Sequence, residues 1–310
     1  MKKIILDNLK ATKMNNNFIG ALHGIAKYYR YHISQQWLMG ATGMAFFINI
    51  HQDLCPSGPY VFDYDPFIEL ARNVGLEIIP LGFLHNTANK SHLEYLESKI
   101  KEYLSNKIPL IIQNMDNQII YGFDESGFLL DPFDPEYPEF FPQRITYSTW
   151  NEMGNEFHAM IWAVQKIEPQ TPKKVIINAL TFAEKSIQGN YSKKPEDSVH
   201  YKSGKDAYDS WLRYLQKNDG NNHGHWWNAG VWSECRRHAG LFFRDLIMIE
   251  DDHDHSLSSK LFNQFTLIGQ KLSEAQEKSL SQERKRWLIT EAKVVEIGTI
   301  EDLKNLRTSF

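Results

Sequence analysis

Cysteine is scarce: the 310-residue chain has two, Cys55 and Cys235. Two thiols exclude a disulfide framework and a Cys-rich zinc site, and they point to reduced cysteines. A surplus of one charge is missing too. With 34 basic and 38 acidic residues the net charge is −4. The Lys and Arg are dispersed, so there is no footprint for nucleic acid and no polybasic patch for anionic membranes. Long apolar runs are absent, since "AFFINI" and "FHAMIWAV" are strand-sized and too short to span a bilayer. The opening "MKKIILDNLK" has a basic flank, but its "IIL" falls far short of a signal-peptide core. These absences predict a cytoplasmic protein with neither nucleic acid nor membrane as partner.

What is present is a globular composition, 42% hydrophobic and 23% charged, on a chain long enough for two ordinary domains. The first half alternates strand and helix signals. Asn15 to Asn17 are good cap residues before a stripe of Ile19, Leu22, Ile25, Ala26 and Tyr29. Ser91 and Glu94 have capping-box spacing ahead of Leu93, Leu96, Ile100 and Leu104. Two prolines in "QKIEPQTPKK" mark a boundary, and Thr171-Pro172 reads as a helix start. The second half is helical: Ile176, Leu180, Ala183 and Ile187 repeat at helical spacing, and Tyr208, Trp211, Leu212 and Leu215 follow in register. "QGNYSKKPEDSVHYKSG" reads as a polar loop. Two longer helices follow, about "WNAGVWSECRRHAGLFFRDLIMI" and "SSKLFNQFTLIGQKLSEAQEKS".

"NQIIYGFDESGFLLDP" reads as a hairpin, two apolar strands around a Gly-containing turn. The order of a capped helix, "GATGMAF", a helix, "IPLII", this hairpin, "ITYSTWNEM" and "FHAMIWAV" resembles the C39-like branch of papain-fold cysteine peptidases. More closely it resembles the N-terminal domain of the butirosin-biosynthesis acyltransferase family, over roughly residues 10 to 165. "DAYDSWL" and "WNAGVWSECRRHAG" are similar to C-terminal extensions of bacterial members. The resemblance implies an α+β architecture: a papain-like domain over 1–168 and a helical domain over 169–310, packed against the papain-like cleft. It also implies transfer of an acyl group from a carrier-protein thioester to an aminoglycoside amine.

The resemblance places the family's nucleophile at the first helix's N-terminus, where a helix dipole and a histidine stabilise a thiolate. Here that position falls on or near Asn17, and no cysteine precedes Cys55. The oxyanion glutamine is replaced by "LKAT", the base histidine falls on Asp116 or Asn117, and the orienting carboxylate is retained as Asp131. An orienter without a base is not a catalytic site. The expectation is therefore a non-peptidase that binds a small molecule or an acyl-carrier-type partner, with Asn17, Asp116, Asn117 and Asp131 at the base of its pocket.

The alternative enzyme is an acyltransferase or amidohydrolase with a relocated nucleophile. Cys55, in "NIHQDLCPSGPY", has His51 four residues before it, and His158 is a second candidate base. Packing under a turn is the ordinary fate of such a cysteine. Cys235 shares a helical face with Val231, Phe242 and Ile249, which predicts burial, and His238 reads as a core histidine. Trp227, Asn228 and Trp232 form a ligand-lining candidate among neighbouring tryptophans and Glu234; such indoles also serve simply to bury area between two halves. A structural or interaction module is the third reading. His223 with His225, and His253 with His255 among Asp251, Asp252 and Asp254, offer metal-binding groups without paired zinc spacing. No metal is assigned. No cofactor is expected either, because "GATGMAF" lacks a phosphate-loop lysine.

Overall fold

In a computed structural model of the chain, residues 3–85, 88–114, 116–131, 142–147, 158–189, 199–249 and 254–310 are described. The strands in chain order are β1 (Ile4–Ile5), β2 (Asn49–His51), β3 (Leu76–His85), β4 (Leu110–Asn114), β5 (Asp116–Phe123), β6 (Gly127–Leu130), β7 (Arg144–Thr146), β8 (His158–Lys166) and β9 (Tyr201–Ser203). The helices are α1 (Asn17–Tyr28), α2 (Gln35–Ala41), α3 (Asp65–Ala71), α4 (Lys90–Ser105), α5 (Pro172–Ile187), α6 (Lys205–Lys217), α7 (His223–Ile247), α8 (His255–Ala275), α9 (Gln282–Gly298) and α10 (Ile300–Ser309). The fold is mixed α+β. Among the described residues no helix is long and apolar enough to cross a membrane.

The chain forms two compact units. The first is Met1–Ile33 with Gly75–Pro169, and the second is Ser34–Val74 with Gln170–Phe310. The cut at 168/169 expected from the prolines lies beside the junction at Pro169/Gln170. That expectation misplaces residues 34–74, which leave the first unit altogether. The reason is their aromatic cargo. Phe46 packs on Phe242, Phe243 and Phe265, Trp37 on Phe242, and Phe67 on Phe182. Edge-to-face and tilted ring pairs of this kind add to an already large area burial.

The first unit is built on an antiparallel sheet in the order β3-β8-β4-β5-β6-β7, with β1 paired to β5. Leu110, Ile111 and Ile112 of β4 are all buried, as befits a strand with neighbours on both edges and both faces covered. The expected hairpin is β5 and β6, turning at Asp124–Ser126, where the Asp124 carboxylate accepts from Ser126 N and Oγ. Gly122 is required in β5: a Cβ there would lie 2.5 Å from the Ile4 carbonyl of β1. The α1 cap is Asn16, whose Oδ1 accepts from Ile19 N at 3.1 Å. For α4 the cap is Asn89, not the expected Ser91; Asn89 Oδ1 accepts from His92 N at 2.9 Å, and Ser91 merely donates to it. The stripe expected on α4 is buried.

The second unit centres on α7, which packs on α8 and α2, while α8 and α6 both pack on α9. The segment expected to be a polar loop contributes a strand, β9, which pairs with β2 in the register Asn49↔Ser203 and His51↔Tyr201. In "GATGMAF", Gly40 lies in the last turn of α2 against the Phe242 ring and Gly43 turns the chain at φ +80°. These glycines serve packing and a left-handed turn.

Candidate functional site

Asn17 is the first residue of α1, and Asp116 and Asn117 are the first residues of β5. Helix and strand meet there through side chains. Asn17 Nδ2 donates to Asp116 Oδ1, while Asn17 Oδ1 accepts from Asn117 N at 3.2 Å and from Asn117 Nδ2 at 2.9 Å. Asn17 is 3% exposed and Asn117 is fully buried. This network fixes both amide orientations. The Asn117 backbone N–H must face an oxygen of Asn17, so the Asn117 amide nitrogen faces that oxygen too. Asn117 Oδ1 is then left over as a buried acceptor without a donor among the described residues. Such an atom carries a desolvation cost of about 1–3 kcal/mol until a donor reaches it.

Asp131 follows β6. Its Oδ2 accepts from the backbone N–H of Ala11, in the segment leading into α1, and its carbonyl accepts from Gln118 Nε2 at 2.8 Å. Burial pushes its carboxyl above the ordinary value, opposed by the Ala11 N–H and the Lys10 charge. Asp131 therefore orients a backbone and not an imidazole. The same segment, "LKAT", runs close along α1 at Gly24, where a Cβ would collide with the Lys10 carbonyl. The histidine of this region is His23, a residue the sequence reading did not single out. Its Nε2–H donates to the Ile33 carbonyl at 2.9 Å, and its Nδ1 accepts from Thr12 Oγ1 at 2.8 Å. With both nitrogens engaged and burial pushing its pKa down, His23 has no free nitrogen to act as a base.

The other candidates lie in the second unit. Cys55 is half-buried, follows Leu54 at φ +53°, and its carbonyl accepts from Asn228 Nδ2 at 3.1 Å and from Gly58 N at 3.3 Å. Among the described residues its sulfur makes no hydrogen bond. His51 Nδ1 accepts from Asp53 N at 3.1 Å, and its ring stacks edge-on against Tyr201. Burial lowers its pKa; Asp53 raises it and His200 lowers it further. His158 opens β8 in the first unit, and its side chain lies outside the described set. Among the described residues no hydrogen bond joins Cys55 Sγ to His51. Iodoacetamide alkylation of Cys55, read by peptide mass spectrometry, is expected to run at the same rate in His51→Asn as in the parent chain. A tenfold slower reaction in the variant would establish a dyad.

Trp232 and Asn228, expected to line a ligand, are fully buried. Trp232 Nε1 donates to Asn228 Oδ1, while Asn228 Nδ2 donates to the carbonyls of Cys55 and Gly224. They clamp the Cys55 loop onto α7. Trp227 is half-exposed, with the rings of Tyr60 and His223 both stacked near it. Cys235 is buried, and burial raises its thiol far above the ordinary range. His225 is buried with both nitrogens used: Nδ1 accepts from Trp211 Nε1, and Nε2–H donates to the Ala275 carbonyl. Asp254 spends its carboxylate on capping α8. Asp251, Asp252 and His253 lie outside the described residues. Among the described residues no three His, Cys, Asp or Glu side chains converge on a metal position.

The site that emerges is an Asn–Asp–Asn cluster joining a helix start to a strand start in a mixed α+β protein. No protein-family model matches the chain, and no curated protein matches it.

Proposed function

We propose that the first unit is a papain-like domain that has exchanged its catalytic pair for a polar recognition cluster and binds a small amine-bearing ligand. The observation that carries this reading is the meeting of Asn17, at the start of α1, with Asp116 and Asn117, at the start of β5. In the family it resembles, these are the positions of the nucleophile and the base. Neither asparagine nor aspartate there forms an acyl-enzyme, so the scaffold is kept and the covalent chemistry is not.

The chemistry of the cluster supports a donor-rich ligand. Asp116 brings a carboxylate, and Asn117 a buried carbonyl without a donor among the described residues. An ammonium group is a natural donor to a carboxylate such as Asp116, and charge-assisted hydrogen bonds are the stronger ones. An aminoglycoside amine fits this requirement, and so does the amine of another acyl-acceptor molecule; an acyl-carrier-type partner remains within the same reading.

Calorimetric titration of the full chain with a panel of aminoglycosides and acyl thioesters tests it. Binding of an amine is expected, with Asp116→Asn weakening it about tenfold, or about 1.4 kcal/mol. Absence of heat across the panel, or equal affinity in the variant, would sink the reading.

A further inference from the structure

We infer that the far end of α1 carries a second site, one for a soluble phosphorylated small molecule. Three chain segments come together there: the C-terminal ends of α1 and α4 and the end of β8. They border a shallow, open depression of about 660 Å³ lined by Tyr28, Arg30, Asn106, Lys107, Gln165 and Lys166 among others. That volume lies in the range of small-molecule sites. It is separated from Asn17 by the length of α1, on the order of 20 Å at 1.5 Å per residue, and does not rest on the function proposed above.

The cleft floor is pinned by tyrosines. Tyr28 OH donates to the Lys107 carbonyl at 3.3 Å and Tyr29 OH to the Val164 carbonyl at 2.8 Å, tying α1 to the other two segments. Lys166 is pre-positioned, its Nζ donating to the Tyr29 carbonyl at 3.4 Å and lying 4.6 Å from the Tyr31 ring centroid. Arg30 and Lys107 have neither a carboxylate nor a carbonyl bound to their side chains among the described residues. Among the described residues no acid lines the cleft. Asp7, Glu77 and Glu168 stand beside Tyr28, Gln165 and Tyr31. Three cations and two side-chain amides make a donor-rich, positively charged recess. Phosphoryl oxygens are the acceptors that guanidinium and ammonium groups recognise.

A second, independent feature marks the two free cations. Arg30 and Lys107 both adopt left-handed backbone, at φ +62° and +61°. Each sits just past a helix end, where it closes the helix by donating its N–H to a carbonyl three residues back. Glycine is the residue that fits such a position without strain. Cations suit a helix C-terminus electrostatically, but one placed a residue earlier does so in unstrained backbone. At both helices the left-handed position itself holds the cation, and both cations line one cleft.

The test uses the full chain and inorganic pyrophosphate in calorimetry. Parent protein is expected to bind it, with affinity falling as salt is raised. The double variant Arg30→Gly/Lys107→Gly is expected to lose at least about tenfold in affinity while its Tm rises. A control, Lys278→Ala/Arg286→Ala, removes the same charge from the second unit and is expected to bind as the parent does. The inference fails if no heat is seen with pyrophosphate at about 1 mM. It fails equally if the two double variants weaken binding alike.

Discussion

Arg236→Met is expected to destabilise the second unit by about 3–5 kcal/mol, the cost of leaving one partner of a buried ion pair uncompensated. Arg236 on α7 is fully buried, and so is Glu296 on α9. The pair is bidentate: Arg236 Nε donates to Glu296 Oε2 at 2.7 Å and Nη2 to Oε1 at 2.6 Å. The remaining donor, Nη1, reaches the carbonyls of Ala45 at 3.1 Å and Phe47 at 2.6 Å, and Tyr208 OH donates to Glu296 at 2.7 Å. Burial opposes the guanidinium charge, and Glu296 with Tyr208 more than offsets it, so the Arg236 pKa stands above its ordinary value. One guanidinium therefore joins α7, α9 and the turn at 45–47. Lysine cannot reproduce this fork. Urea unfolding is expected to show the full loss for Arg236→Met and a much smaller one for Arg236→Met/Glu296→Leu, in which no lone charge is buried. Equal losses would mean that the turn contacts, and not the charge, dominate.

The second large effect is acid lability from His225. Its imidazole is held neutral by burial, which pushes its pKa down to about 4, the Ala275 carbonyl acting in the opposite sense and Lys285 in the same. In the unfolded chain the same histidine titrates at 6.5. Because the folded value is the lower one, the unfolded state binds the extra proton first as pH falls. The contribution is intact above pH 6.5 and is lost progressively down to about pH 4, reaching about 3 kcal/mol at 1.36 kcal/mol per unit. The expected observation is a parent chain more stable than His225→Gln at pH 7, with the difference closing as pH approaches 4. A difference independent of pH would show that packing, not protonation, sets the contribution of this residue.

How much of this was legible in the chain divides by distance. Local signals carried well: the α4 stripe, the Thr171-Pro172 helix start and the hairpin with its "DESG" turn all depend on neighbours within a few residues. The Asn89 cap was missed because Ser91–Glu94 matches the capping spacing equally well, and only the helix's true first turn decides between them. Residues 34–74 were assigned by chain order to the first unit, yet Phe46, Phe47 and Phe67 bury in the second, and a hydrophobic pattern does not name its partner. The Arg236–Glu296 pair spans 60 residues and leaves no periodic trace. The cluster at Asn17, Asp116 and Asn117 was found, but only by aligning replaced residues on a resemblance. Composition alone marks three such polar residues as ordinary surface.

The place of β8 in the sheet bears on synthesis. It is the last strand of the first unit to leave the ribosome, and it inserts between β3 and β4, which are made much earlier. Until it arrives, both of those strands present unpaired edges, and Ile111 and Ile112 of β4 await their neighbours Trp162 and Ile161. Growth at roughly 5–20 residues per second leaves that gap open for seconds. Open apolar edges are templates for wrong pairing. A nascent chain of this protein thus passes through a defined interval of aggregation risk, which ends when β8 emerges.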